Sequence, residues 1–522
     1  MRKIRTSGVT RGGAGRKVRP LYSNVFAVKK GVVAVAATPR ICMMRARGGE
    51  MPENQHKAAS REPVRVGMIA LGCAKNLVDG ELMLGHLLRA GVEVTSDPTR
   101  ADVVIVNTCG FITAAKEESI DAILKVAAAR REGKVRRLVV AGCMAQAYAH
   151  DLSVEIPEID TFVGLDELSM VVEAVRGERE HHLPDQVGAL RVYDSANPRL
   201  LSTPGFAYLK VAEGCNNPCT FCHIPKMRGN FRSRRVGDLV REARALEASG
   251  VKELILIAQD TTRYGEDLAI DSGLRVLIRA LLKETGIPWI RFMYAYPATL
   301  DEGLFELMAD NARFVPYLDI PLQHASRPVL KAMRRGGDAG SYKALIERAR
   351  RIVPDLAVRT TMIVGFPGEG EDELQELVDF IEEVRFEHLG VFTYSWQEEN
   401  PGADLGDPTP DEVKQERRER LMEVQSRIAL EKNRALVNRR AEAIVLGPLA
   451  EMEILTEGRL RRQAPEIDGR LIINDGSAAA GSLVEVEITE AHTYDVIGRM
   501  TRVLEESGIS SQTTLPVVGG RG

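Results

Sequence analysis

Three times between Val64 and Met144 one pattern recurs: a run that is apolar at nearly every position, a turn carrying a cysteine, then a stretch with helical periodicity. The runs are Val64 to Leu71, Asp102 to Asn107 and Arg137 to Ala141, and the cysteines are Cys73, Cys109 and Cys143. A strand that is apolar on both sides must be covered on both faces, which a parallel sheet with crossover helices achieves. The pattern therefore predicts an open α/β sheet with the three cysteines at the carboxyl ends of their strands. Ligands bind along that edge in such sheets, so residues distant in sequence can meet there.

A second series follows a segment of no clear period. Six strand candidates alternate with helical stretches: Ala207 to Ala212, Leu254 to Ala258, Ile290 to Tyr296, Phe314 to Leu322, Val358 to Gly365 and His388 to Ser395. Six β/α units predict a partial (β/α)6 barrel whose chemistry lies at the carboxyl ends of its strands. A charged helical stretch leads away from it, and from Ala441 to Met500 short β-rich runs between Gly, Pro and Asp turns predict a small β-barrel. The first 49 residues hold twelve Arg or Lys and no acid, unlike a folded domain; a transit peptide has this composition, and the segment reads as a disordered arm or an extension from an unused start codon. The expected organisation is a basic leader (1–60), an N-terminal domain (64–175), a linker (176–205), the partial barrel (206–435), the small C-terminal barrel (436–503) and a flexible tail (504–522).

Charge and cysteine usage narrow the function. With 70 basic and 73 acidic residues the chain is no polycation built to hold nucleic acid, and no apolar run is long enough to predict a membrane span. A cytoplasmic protein is expected. Seven cysteines are too few for a disulfide scaffold of this size, leaving metal binding, thiol chemistry or inert burial as their roles. The densest group, Cys215-Asn-Asn-Pro-Cys219-Thr-Phe-Cys222, directly follows the first barrel strand. Three thiolates on one short loop suit an iron–sulfur cube, which then keeps one iron open. Zinc would require a second C-x-x-C that the sequence lacks, and His223 abuts Cys222 too closely to complete a site.

The C-x3-C-x2-C loop with Phe221 before its last cysteine, placed after the first of six β/α units, resembles the radical S-adenosylmethionine superfamily. Glu213-Gly214-Cys215 and Ile224-Pro225-x2-Arg228-Gly229-x2-Arg232-Ser233-Arg234 resemble its methylthiotransferase branch. So do Leu71-Gly72-Cys73-Ala74-Lys75-Asn76, Val106-Asn107-Thr108-Cys109-Gly110-Phe111 and Ala141-Gly142-Cys143-Met144. The 441–500 segment is similar to a TRAM domain, an OB-like module. Gln463-Ala-Pro-Glu-Ile-Asp-Gly469 and Ala207-Tyr-Leu-Lys-Val-Ala-Glu-Gly214 resemble the members that modify an aspartate of small-subunit ribosomal protein uS12.

This resemblance implies a 4Fe-4S cluster on Cys215, Cys219 and Cys222 whose open iron chelates S-adenosyl-L-methionine. It implies a second 4Fe-4S cluster on Cys73, Cys109 and Cys143 that carries the sulfur, with Cys42 left over in the leader. The implied reaction adds a methylthio group to the aspartate β-carbon with two S-adenosylmethionine per turnover and no side chain acting as acid or base. Thr361, Ile363, Gly365 and Pro367 resemble the superfamily's adenine-binding stretch, and Gln259 and Gln323 stand at the rim after strands two and four. The expected partners are uS12 or the small ribosomal subunit and an electron donor such as flavodoxin or ferredoxin, with the enzyme a monomer. Alternatives are a transfer RNA adenosine methylthiotransferase and a non-catalytic iron–sulfur electron carrier or RNA-binding sensor. Eleven acids against five bases over 441–500 favour a basic protein over RNA. Two features depart from the family pattern: the segment Gln397-Glu-Glu-Asn-Pro-Gly-Ala403, and His223 in place of an aliphatic residue.

Overall fold

The structure is a computed structural model that describes residues 64–179 and 193–507 and the backbone of 517–518. The predicted leader with Cys42 and most of the predicted tail lie outside the described residues. Five parallel strands form the N-terminal sheet: β1 (Arg65–Ala70), β2 (Glu93–Thr95), β3 (Val103–Thr108), β4 (Arg137–Gly142) and β5 (Thr161–Val163), in the order β2-β1-β3-β4-β5. The three apolar runs are its central strands. The edge strands β2 and β5 have three residues each, too few to show a period, and the sequence reading does not include them. Helices α1 (Ala74–Arg89), α2 (Thr113–Arg131), α3 (Cys143–Glu155) and α4 (Val171–Arg176) cover the faces. Strand order reverses between β1 and β3, so successive crossovers leave to opposite faces and a crevice opens at the carboxyl edge. Cys73 and Cys109 flank that point.

The six predicted barrel strands form a parallel arc: β6 (Phe206–Lys210), β7 (Glu253–Ile257), β8 (Trp289–Phe292), β9 (Tyr317–Asp319), β10 (Ala357–Val364) and β11 (His388–Thr393). The fourth is much shorter than the run Phe314 to Leu322, because Pro316 and Pro321 bracket it and cannot donate to a ladder. A single bridge, Ile290 to Phe314, joins the two halves of the arc. Helices α5 (Ile224–Arg228), α6 (Val236–Ala248), α7 (Gly273–Glu284), α8 (Glu302–Ala309), α9 (Arg327–Ala332), α10 (Ala339–Ile352) and α11 (Glu371–Val384) follow the strands, and α12 (Asp411–Arg434) packs beside β11. Part of the segment read as linker is well buried: Arg199 pairs with Glu81 of α1 and Glu242 of α6.

Strands β12 (Arg440–Leu449), β13 (Met452–Leu460), β14 (Leu471–Asp475), β15 (Leu483–Ala491) and β16 (Val496–Glu505) close into a barrel in the order β12-β13-β14-β16-β15. Its core comes from alternate residues such as Ala443, Val445, Val484 and Val486. The loop between β13 and β14 leaves this barrel and plugs the open arc from the amino ends of its strands. Ala464 packs with Trp289 and Tyr317, Arg459 pairs with Glu253, and the Tyr317 hydroxyl donates to Asp468 at 2.7 Å. With that end closed, the carboxyl ends face the N-terminal domain. No helix among the described residues is long and apolar enough to cross a membrane.

Candidate functional site

The three cysteine turns of the N-terminal sheet interlock through glycine. Gly72, at φ +95°, lies so close to the next turn that a Cβ would come within 2.9 Å of Cys109 Cβ, and one on Gly110 would meet the Met144 backbone at 3.3 Å. Cys73 caps α1 and Cys143 opens α3, so each thiol is fixed by a strand end and a helix start. Burial and the neighbouring thiols push the Cys109 thiol up to about 12. Cys73 moves the other way: burial opposes its ionisation, but Lys75 and Arg228 more than offset that and hold its pKa below the ordinary value.

The radical-type loop is built by the turn before it. Gly214 has φ +77°, and a Cβ there would fall 2.1 Å from the Asn230 carbonyl, so no other residue fits. The Cys215 amide donates to Gly229 O at 3.1 Å, and the Asn217 amide points at Cys215 Sγ at 3.4 Å. Arg335 approaches Cys219 Sγ at 3.6 Å with its guanidinium 4.4 Å over the Tyr296 ring. Burial raises Cys222 to about 12. Among the described residues no three His, Cys, Asp or Glu side chains close around a single ion. A cube takes one thiolate per iron and tolerates wider spacing, whereas a mononuclear zinc site does not.

Two bridges join the cysteine sets. Arg228, just after the loop, donates to Cys143 Sγ at 3.3 and 3.2 Å, to both oxygens of Glu213 at 3.0 Å and to Asp79 at 3.0 Å. Lys210 completes this buried network with Asp79 and Glu213. Arg228 and Lys210 more than offset the burial of Glu213 and hold its carboxyl far below the usual range. The second bridge uses both departures from the family pattern. His223 Nε2 faces Gly110 O at 3.1 Å, and Nδ1 faces Asn400 Oδ1 at 2.9 Å. The Gly110 carbonyl can only accept, so Nε2 donates to it, and the Asn400 side-chain amide pairs with Nδ1 by turning its otherwise unpartnered NH2 to that nitrogen. The same 397–403 segment reaches back to the N-terminal domain, where Lys116 donates to Gln397 at 2.5 Å and to the Tyr148 hydroxyl at 2.7 Å.

The predicted cofactor contacts fall into two groups. The Gln323 amide donates to Thr361 O at 2.8 Å and the Ile363 amide to Gln323 O at 2.7 Å, making one strip at the rim, and Gln323 holds φ +74° there. Non-glycine residues in that region concentrate at functional sites. Gln259 donates to Glu213 at 2.8 Å while its buried Oε1 has no partner. Gly365, at φ +74°, has a packing reason of its own, since a Cβ would strike Lys414 of α12 at 2.3 Å. Pro367 is buried just beyond it. His324 is a buried structural residue that accepts from the Ser326 amide at 3.0 Å and lies 3.3 Å from Glu369.

Sequence reasoning missed Asp79, Glu81, Lys210 and Glu213 as a set. One signal was present: α1 carries Lys75, Asn76, Asp79 and Glu81 among its apolar residues, and all four are buried. Charges inside an apolar helix face mark an interface that supplies their partners.

Three family models match the chain: the Radical SAM superfamily over 209–381, Uncharacterized protein family UPF0004 over 65–164 and the TRAM domain over 439–501. A ribosomal protein uS12 methylthiotransferase RimO of Anaeromyxobacter sp. (strain K) is 49% identical over 84% of this chain and 93% of its own length. The protein of that name from Geobacter sulfurreducens is 44% identical over 84% of this chain and 98% of its own. Among solved structures, the radical S-adenosylmethionine methyltransferase TsrM of Kitasatospora setae, with tryptophan and a SAM analogue bound, matches at a TM-score of 0.50. It is 14% identical and covers 66% of this chain and 75% of that one, a likeness of fold alone. Identity at this level along nearly the whole length of the relatives settles the classification: the chain belongs to the RimO family of radical SAM methylthiotransferases.

Proposed function

We propose that the chain adds a methylthio group to the β-carbon of an aspartate in small-subunit ribosomal protein uS12. The observation that carries this is the joining of two cysteine trios across one buried seam, through Arg228 between Cys143 and Glu213 and through His223 between the Cys222 and Cys109 turns. Cys73, Cys109 and Cys143 hold one 4Fe-4S cluster, and Cys215, Cys219 and Cys222 hold the other, each with an open iron. When bound, the clusters and two molecules of S-adenosylmethionine per turnover supply the hydrogen-abstracting radical and the sulfur.

The residues present fit those groups. Arg228 offers its guanidinium to thiolate sulfur. The unpartnered Gln259 Oε1 suits the ammonium of the cofactor's methionyl end. The strip of Gln323, Thr361 and Ile363, with Gly365 and Pro367 beyond it, offers backbone and apolar edge to the adenine. No side chain acts as acid or base; the protein fixes distances and excludes water. Residues 64–175, 206–435 and 436–503 act as three units, with 176–205 linking the first two. The protein works as a cytoplasmic monomer and takes electrons from a flavodoxin or ferredoxin.

The C-terminal barrel supports a basic protein substrate. Glu451, Glu453, Asp475 and Glu490 are exposed on it, whereas Arg459 is buried against Glu253 and Arg461 reaches the Ala312 carbonyl. The exposed arginines of the same barrel, Arg440, Arg499 and Arg502, are each paired with Glu485 or Glu487, which leaves little free positive charge for an RNA backbone. The test incubates reconstituted enzyme with uS12 and, separately, with unmodified transfer RNA, and weighs both. A mass gain on uS12 alone is expected; thiomethylation of RNA alone would sink the reading, and absence of deoxyadenosine release under reducing conditions would favour an electron carrier. Replacing Cys215, Cys219 and Cys222 by Ala should remove about half of the iron.

A further inference from the structure

Ten lysines and arginines among the described residues are buried: Lys75, Arg199, Lys210, Arg228, Arg234, Lys252, Arg291, Arg359, Lys414 and Arg459. Nine of them have a carboxylate within 4 Å. Lys75 has none. Its ammonium donates to the Ala258 carbonyl at 3.3 Å and lies 3.4 Å from the centroid of the Tyr294 ring. An ammonium has three donors, so this environment leaves it short of acceptors. Leaving a buried cation without a carboxylate is costly, and a fold that pairs the other nine has the means to avoid that cost.

The position of Lys75 limits which carboxylate could reach it. It sits two residues beyond Cys73 on α1, yet Ala258 and Tyr294 lie just past the carboxyl ends of β7 and β8, so the side chain spans from one cysteine set to the rim beside the other. Tyr294 is held at φ +64° with its amide donating to Asp319 at 2.9 Å, so the ring beneath the ammonium is fixed by strain that packing elsewhere must offset. Lys75 lies near enough to Cys73 to favour that thiol's ionised form, but no hydrogen bond ties it to a sulfur among the described residues, and the thiol of Cys143 has Arg228 beside it. What a methylthiotransferase of aspartate must place between its two cysteine sets is a carboxylate, which an adenosine substrate does not carry.

We propose that Lys75 receives the carboxylate of the substrate aspartate, making it the residue that selects an acidic side chain. This rests on the uS12 reading. Lys75 anchors the carboxylate from the N-terminal domain while the β-carbon faces the barrel rim, and Asn at the target position forfeits the ion pair. The test is equilibrium binding of reconstituted protein to uS12 and to uS12 with Asn at the target position. Wild type should prefer the aspartate form by about 10- to 100-fold, the range of a hydrogen bond between charged groups. Lys75→Met should bind both forms alike, at the wild-type affinity for the Asn form, whereas Lys75→Arg should keep the preference. Iron content and unfolding midpoint show that each variant is folded, and Lys75→Gln replaces Lys75→Met should the latter not fold. A wild type that binds both forms equally, or a Lys75→Met that keeps the preference while losing iron or S-adenosylmethionine affinity, overturns the assignment and makes Lys75 a counter-charge to a cofactor. A wild type that binds neither form removes the uS12 reading and the assignment with it.

Discussion

At the scale of single residues, Arg228 joins the most chemistry: a thiol, two carboxylates and both cysteine sets. Removing one partner of a buried ionic network leaves its other members charged and unpaired. Arg228→Met should therefore lower the unfolding free energy by about 3–5 kcal/mol, measured by denaturant titration, with Lys at this position recovering only part because it cannot fork between Glu213 and Asp79. His223 and Asn400 form a separate test. The two replacements His223→Leu and Asn400→Thr should couple by about 1 kcal/mol in a double-mutant cycle, and strictly additive effects would show that their contact is incidental. The six cysteines were legible because each stands in a short motif whose spacing is local. The partners of Arg228 and His223 were not, since Arg228 to Cys143 spans 85 residues and His223 to Asn400 spans 177.

Elements were legible where they are long and periodic. The central strands of both sheets and the charged helix α12 follow their apolar patterns, while β2 and β5 fell below the length at which a pattern exists, and β9 was cut short by its prolines. Turns are the elements on which the site depends. Gly214→Ala should place a methyl group against backbone that cannot yield, so the loop carrying Cys215 must move. The expected outcome is loss of about half the iron after reconstitution, with the iron of the N-terminal cysteines retained. Full iron retention would mean that the loop tolerates a shifted backbone.

The whole molecule is held by buried charge at both ends of the arc. Glu253, Arg291 and Arg459 lock the C-terminal barrel to the amino ends of the strands, while Asp79, Lys210, Glu213 and Arg228 lock α1 to the carboxyl ends. The carboxyl pKa values of Glu213, Glu253 and Asp238 all lie below their ordinary values in the folded chain because arginine and lysine neighbours outweigh burial. Where the folded pKa is lower, the unfolded chain takes up protons first as the pH falls. Stability contributed by these groups is thus complete above the ordinary carboxyl range and is lost progressively below about pH 4.5. Unfolding of the metal-free protein followed from pH 7 to pH 3 should show a plateau and then a steep fall, and a flat profile would mean that these pairs add no net stability.

Sequence alone determined the periodicities, hence two parallel α/β units and a β-barrel, and it placed six cysteines at strand ends, because strand length, turn chemistry and motif spacing are properties of neighbouring residues. Only the tertiary structure decided which charges are shared across the seam, that the loop after β13 plugs the arc, that two deviations from the family pattern are partners, and that, of ten buried lysines and arginines among the described residues, one stands without a carboxylate. Pairing across 85 to 177 residues leaves no local trace. It depends on where the chain returns, and burial alone makes the presence or absence of a counter-charge matter.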